Sequence, residues 1–405
     1  MPIKGQNSKK GSMMRKSKLR FMFMLVFMLM ATSLRAEITL PKGLEGTSIG
    51  ALWYLDFKAG QDRQADHYSG WSIGRGYINI KKEITSWLSA RVTPDVTRDI
   101  HGDVKVRLKY LYGRLYFRDL SIFTNNFIEI GQIHFPWLDF EEHVNPYRCQ
   151  GTMFQERNHM FNSADQGIAW FSYFGGQMSE EYKEKVHKYY AGRYGSFCLG
   201  VFNGGGYHQG EKNTNKALEA RITLRPLPDL LPGLQFTYFG ILAKGNLSKE
   251  GETYKDGKYA YFPGTSIIAA GDPPDWYVNT FFISYEAPSY TFTFEFARDK
   301  GAQDGFYKED GEYYRDERDK RGISLWGMLR VPWHKRLRAW ARYDIWDPDL
   351  SITDNIERRL ISSLSYDVYK GVWGCIFLIT FERLWHDNPN YRDEHFFQTV
   401  LQIKF

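Results

Sequence analysis

Cysteine is scarce in this sequence: Cys149, Cys198 and Cys375 are the only three among 405 residues. An odd count leaves at least one thiol outside any intramolecular disulfide, and their wide separation excludes the short Cys-x-x-Cys pairs of zinc and redox sites. Long apolar runs are missing as well. The stretch from Phe21 to Met30 is about half the roughly 20 residues a spanning helix requires, so no transmembrane helix is expected. No long segment repeats its apolar residues with a period of 3.6, which excludes a helical bundle. The ten histidines are scattered, and no motif sets a nucleophile beside a histidine and an orienting partner, so no enzyme, cofactor or metal site is expected.

What is present begins with a three-part N-terminus. Lys4, Lys9, Lys10, Arg15, Lys16, Lys18 and Arg20 precede the apolar run, and small residues follow at Ala31, Ser33 and Ala36. This pattern predicts a cleavable signal peptide over residues 1–36 and a working chain over 37–405. Eight of the 53 Lys and Arg lie in the signal and none of the 47 acids does, leaving 45 bases against 47 acids. The apparent basicity of the whole chain therefore says nothing for nucleic-acid binding.

Aromatic residues make up 17% of the chain, yet the mean hydropathy is −0.48. Rings without overall hydrophobicity suit a membrane barrel, whose lipid-facing residues alternate with polar lumen-facing ones. Period-2 alternation does recur from Thr47 onward. Leu218, Ala220, Ile222 and Leu224 alternate with Glu219, Arg221, Thr223 and Arg225, and Leu337, Ala339, Ala341 and Tyr343 alternate with Arg336, Arg338, Trp340 and Arg342. The fold expected is all-β, a 16-stranded antiparallel transmembrane β-barrel forming a single domain.

The connections follow the same reading, short turns at one end alternating with longer loops at the other. One junction departs: Gly176 to His187, with its charged Ser-Glu-Glu-Tyr-Lys-Glu-Lys run, falls where a short turn is expected. The last strand alternates to Phe405, a terminal aromatic of the kind that outer-membrane assembly machinery reads, which makes Phe405 the expected assembly signal.

The least strand-like stretch lies between the fifth and sixth strands. It runs Gly131-Gln132, then Phe135-Pro136-Trp137, the acidic pair Glu141-Glu142, and downstream Phe154-Gln155-Glu156-Arg157. With Gly74-Arg-Gly-Tyr77 and Val201-Phe-Asn-Gly204, these patches resemble the phosphate-selective porin family (O and P type) of bacterial outer membranes. The resemblance implies a homotrimer in which the third outer loop, residues 136–164, is inward-folded and narrows a water-filled channel. Glu141, Glu142, Arg148, Glu156 and Arg157 are then the constriction-loop candidates, with an anchoring ion pair as the plainer reading of Glu156 and Arg157.

Members of that family line the pore with ladders of bases. Lys105, Arg107 and Lys109 on one strand and Arg336, Arg338 and Arg342 on another are candidate rungs, with Arg75, Arg91, Arg221 and Arg225 beside them. The expected activity is passive diffusion of small anionic solutes, phosphate among them, across an outer membrane whose lipids surround the barrel. The alternative left open is that these bases pair with acids on neighbouring strands and line a non-selective pore. An outer-membrane enzyme or an adhesin stands further off.

Overall fold

The computed structural model describes residues 42–98, 102–254, 266–268, 270–309, 312–368 and 374–405. The expected signal peptide and the turn expected at Lys370 and Gly371 lie outside them. The chain divides into two units, Met1–Glu45 and Gly46–Phe405. Of the first, the described part centres on one 3-10 turn, Lys42–Leu44.

The second unit is a closed barrel. Its strands are β1 (Thr47–Gln61), β2 (His67–Glu83), β3 (Leu88–Arg98), β4 (Val104–Phe117), β5 (Phe123–His134), β6 (Ala164–Phe174), β7 (Gly195–Phe202) and β8 (Ala217–Leu224). The second half is β9 (Leu234–Lys244), β10 (Asp275–Glu286), β11 (Tyr290–Lys300), β12 (Asp319–Arg330), β13 (Leu337–Asp347), β14 (Glu357–Asp367), β15 (Ile376–His386) and β16 (Glu394–Lys404). Each pairs antiparallel with the next, and β1 closes on β16 in a register running from Leu52 opposite Lys404 to Gln61 opposite His395. The expected sixteen strands are all found. Two small hairpins, Glu252–Tyr254 with Ser266–Ile268 and Phe306–Glu309 with Glu312–Arg315, project from the connections after β9 and β11.

The burial pattern is that of a barrel made for lipid. Leu199, Val201, Leu218, Ile222, Leu242 and Leu325 are exposed on the outer face, while Glu219, Arg221, Thr223, Thr237, Thr280 and Glu295 are buried on the inner one. In water this arrangement strands apolar surface. In a bilayer it leaves every strand's backbone paired and its outer side chains solvated by hydrocarbon.

Two sequence expectations are corrected here. Strand seven, expected from residue 188, begins at Gly195, because the junction before it is a long connection with a helix at Glu180–Lys185. The charged run is that helix: Ser179 caps it by accepting from the Tyr182 N–H at 3.3 Å, with Glu180 and Glu181 in the first turn and Lys183 and Lys185 in the last. The side-chain cap and the end charges favour helix over strand. The second correction is the segment after β5, which folds as two helices, α1 (Pro136–Val144) and α2 (Phe154–Arg157). We number the helix at Glu180–Lys185 α3.

Candidate pore and its lining

One of the barrel's register shifts, on β3 and β4, shapes the inner wall beside the cavity. Pro94 on β3 has no N–H to donate, and the β3–β4 register slips beside it, from Thr93 opposite Tyr110 to Pro94 opposite Leu108. Lys109 is the extra residue. Its carbonyl accepts a hydrogen bond from Gln132 Nε2 at 2.9 Å, so the Gln of the Gly-Gln patch satisfies a group the bulge leaves outside the ladder. Gly131 makes that approach possible: it sits at φ +127°, and a Cβ there would lie 2.3 Å from the Leu111 carbonyl oxygen. Because of the bulge, Lys109 and Tyr110 are both buried on the inner side, followed by Tyr112.

Helix α1 faces two ways. Pro136 starts it at a position where no amide is needed, and Trp137, Phe140, Glu141 and Val144, spaced three and four apart, form its buried face. Trp137 stacks on Phe239 of β9 at 5.8 Å between ring centroids and meets Phe282 of β10 edge-on at 5.1 Å. The other face carries Asp139, Glu142 and His143 to the edge of a cavity. The acidic pair is thus divided by the helix. Glu142 pairs with Arg148 at 3.1 Å, while Glu141 is buried beside Glu295 and Arg342; burial pushes its carboxyl up to about 8 against the pull of the Arg342 guanidinium.

The rest of the loop is tied to wall residues of β10, β11, β14 and β15. Tyr147 shares a hydrogen bond with Ser365 at 2.9 Å. Gln155 donates to Asp299 at 2.9 Å and accepts from the Thr280 hydroxyl at 2.7 Å. Arg157 pairs with Glu382 at 3.0 Å and donates to Gln150 at 2.9 Å, and Gln150 in turn donates to Glu382 at 2.7 Å. Glu156 pairs with Arg148, not with Arg157. The anchoring pair expected between Glu156 and Arg157 is therefore two separate ties, because neighbouring residues on a helix point to different sides.

Against the wall formed by β16 and β1–β8 a cavity of about 570 Å³ remains open. Seven Lys and Arg border it, Lys81, Arg91, Lys109, Arg114, Arg148, Arg221 and Lys404, against three carboxylates, Glu129, Asp139 and Glu142. Its local charge is positive. Arg91 lies 4.6 Å over the Tyr110 ring and bonds Asn79 at 2.6 Å and His134 at 2.8 Å. Lys109 lies 4.8 Å over Tyr77. Among the described residues neither has a carboxylate within ion-pair distance.

No family model and no curated protein sequence matches the chain, but solved structures do. An anion-selective porin from Comamonas acidovorans aligns with a TM-score of 0.55 at 10% identity, over 89% of this chain and all of that one. OmpF of Salmonella typhi, in complex with daunomycin, gives 0.55 at 10%, over 88% and 98%. OmpT of Vibrio cholerae in its trimer form gives 0.50 at 9%, over 89% and 100%. The chain has the porin fold.

Within this porin barrel the bases singled out in the sequence separate into two groups. Arg107 reaches Asp95 at 2.9 Å and His208 at 2.9 Å, Lys109 stands at the cavity, and Lys105 is exposed near the end of β4 that faces away from the C-terminus. Arg221 is buried over the rings of Phe140 and Tyr190, at 4.6 and 4.8 Å, and Arg225 donates to the Gly192 carbonyl at 2.7 Å. On the opposite wall Arg338 binds Asp367 with both guanidinium nitrogens, at 2.5 and 2.7 Å, and Arg342 pairs with Asp344 at 2.7 Å. Arg336 lies in the turn before β13, off the wall. The structure therefore does not gather one ladder from β4 and β13. It places Lys81, which shares the parity of Arg75 on β2, at the cavity with Arg114 and His134; strict alternation misses Arg114, since extending the parity of Arg107 and Lys109 sends it outward, and Pro94 on the facing strand was the available sign of a bulge. The three cysteines are free thiols, two of them buried.

Proposed function

We propose that this protein is an outer-membrane porin, a water-filled channel for passive diffusion of small solutes with a preference for anions. One observation carries the reading: Arg91 and Lys109, which among the described residues have no carboxylate within ion-pair distance, stand on the β3–β4 side of the cavity, with Asp139 and Glu142 of α1 also on its lining. Bases ringed around a pore lower the entry barrier for anions. The third outer loop is then the inward-folded constriction, tied across the lumen by Gln155 and Arg157. Where bases are paired, as on β13, the wall is neutralised and serves to hold that loop.

The finer assignment follows from the same residues. We place the chain with the phosphate-selective O and P type porins on its Gly131-Gln132, Phe135-Pro136-Trp137 and Phe154-Gln-Glu-Arg157 patches, with Lys81, Arg91 and Lys109 as the anion-facing set and Arg114 held by Glu129 at 2.5 Å. A homotrimer, export by the 1–36 signal and recognition of Phe405 by the assembly machinery belong to the same proposal. The test is a planar-bilayer recording of the purified protein in a KCl gradient, followed by replacement of chloride with phosphate. A reversal potential on the chloride side supports the channel; a non-conducting barrel, or cation selectivity, overturns it.

A further inference from the structure

The long connection between β6 and β7 lies at the barrel end where β1 begins and β16 ends, which is the periplasmic end if the chain is a porin. It does not stay there. Met178 N–H to the Ala191 carbonyl at 2.8 Å and Arg193 N–H to the Gly176 carbonyl at 2.9 Å zip its base, and Met178, Tyr182, Ala191 and Val186 form a small apolar cluster of their own. This bracing projects the tip, residues 186–190, up to α1. Tyr190 donates to the Asp139 carboxylate and packs edge-on against Phe140 at 5.2 Å. Tyr189 lies tilted against His143 at 4.2 Å between ring centroids, and His187 lies 5.8 Å from the same ring. The height reached is set by Arg221, which lies in the middle of β8 and is covered by Tyr190. Three residues separate Arg221 from the near end of that strand, so the tip stands roughly 10 Å inside the barrel.

We propose that this connection is a second constricting element, which enters from the periplasmic end, meets the outer-loop helix α1, and sets the width at which small anions leave the pore. The inference rests on the porin reading above. The α1–tip contact separates the main cavity, which Tyr189 and Tyr190 border, from a void of about 30 Å³ behind it lined by Val186 and His187. Solute is thereby confined to one side. There Tyr189, 47% exposed and carrying Lys188 at 5.2 Å over its ring, forms a rim across from Lys81 and Arg91. An aromatic and basic rim passes compact oxyanions and obstructs broad ones.

Tyr189 is exposed enough to be changed without unseating the barrel, and two opposite substitutions test the idea. In planar bilayers Tyr189→Ala is expected to raise single-channel conductance roughly 1.5-fold and to raise the gluconate-to-chloride permeability ratio, and Tyr189→Trp to lower both. Wild-type conductance and permeability ratio in both variants would overturn the second constriction while leaving the porin reading intact. Absence of conductance in the wild type would instead remove the reading on which it rests. Should Tyr189→Ala fail to fold, the Trp variant still decides by the direction of its change.

Discussion

At the scale of single residues, a base in a channel acts according to whether a neighbour cancels it. Lys109 and Arg91 face the cavity over tyrosine rings, whereas Arg338 is held by Asp367 with both guanidinium nitrogens. Reversing the charge at Lys109 should therefore move the zero-current potential toward cation preference, measured in a tenfold KCl gradient. Arg338→Gln should leave that potential unchanged and instead lower the barrel's resistance to heat or urea, by about 1–3 kcal/mol for a broken charged hydrogen-bond pair. If Lys109→Glu left the potential where it was while Arg338→Gln moved it, the assignment of the two walls would be reversed. The same distinction explains how far alternation reads: it finds that Arg338 and Arg342 face inward and that Asp344 shares the face of Arg342, but not that Arg338 is neutralised, since Asp367 comes from a neighbouring strand and pairing depends on register.

At the scale of elements, the loop between β5 and β6 depends on its α1 face. Glu141 lies buried with its carboxyl raised to about 8 by burial. A raised carboxyl means the folded loop holds the proton more tightly than the unfolded chain does, so docking is strongest in acid and weakens as pH rises from the ordinary carboxylate range to the raised value, with no further loss above it. Glu141→Gln, which keeps the side chain neutral at every pH, should abolish a rise in conductance noise between about pH 4.5 and 8 in planar bilayers. An unchanged pH profile in that variant would assign the effect elsewhere. Arg157→Gln should loosen the same loop at neutral pH by removing its ion pair to Glu382, which keeps Arg359 and Gln150 as partners, detected as faster proteolysis of the 145–160 segment in the detergent-solubilised barrel. In the sequence this stretch was legible as an exception to alternation, and its Pro and acidic residues as unusual. That it is helical was not, because α1 is short and its apolar face is specified only by the rings of Phe239 and Phe282 on β9 and β10 that receive it.

At the scale of the whole molecule, the barrel closes where its ends meet. Phe405 exchanges backbone hydrogen bonds with Ala51 at 2.8 and 3.1 Å, and its ring meets Trp53 edge-on at 5.4 Å on the exposed outer face. Deleting Phe405 should reduce the folded, heat-modifiable fraction recovered from membranes while leaving the conductance of molecules that do fold unaltered. Equal recovery would deny it an assembly role. Sixteen strands, the alternation of faces where no bulge interrupts it and the closing strand were determined by the sequence alone, because a period-2 pattern between lipid and water leaves a regular strand one workable orientation and each backbone group one kind of partner. Only the tertiary structure decided which bases stay uncancelled, that the bulge opposite Pro94 turns Lys109 and Tyr110 to the same side, and that residues 186–190 rise to meet α1. Those outcomes depend on contacts between segments far apart in the chain, whose distances no local pattern of residues carries.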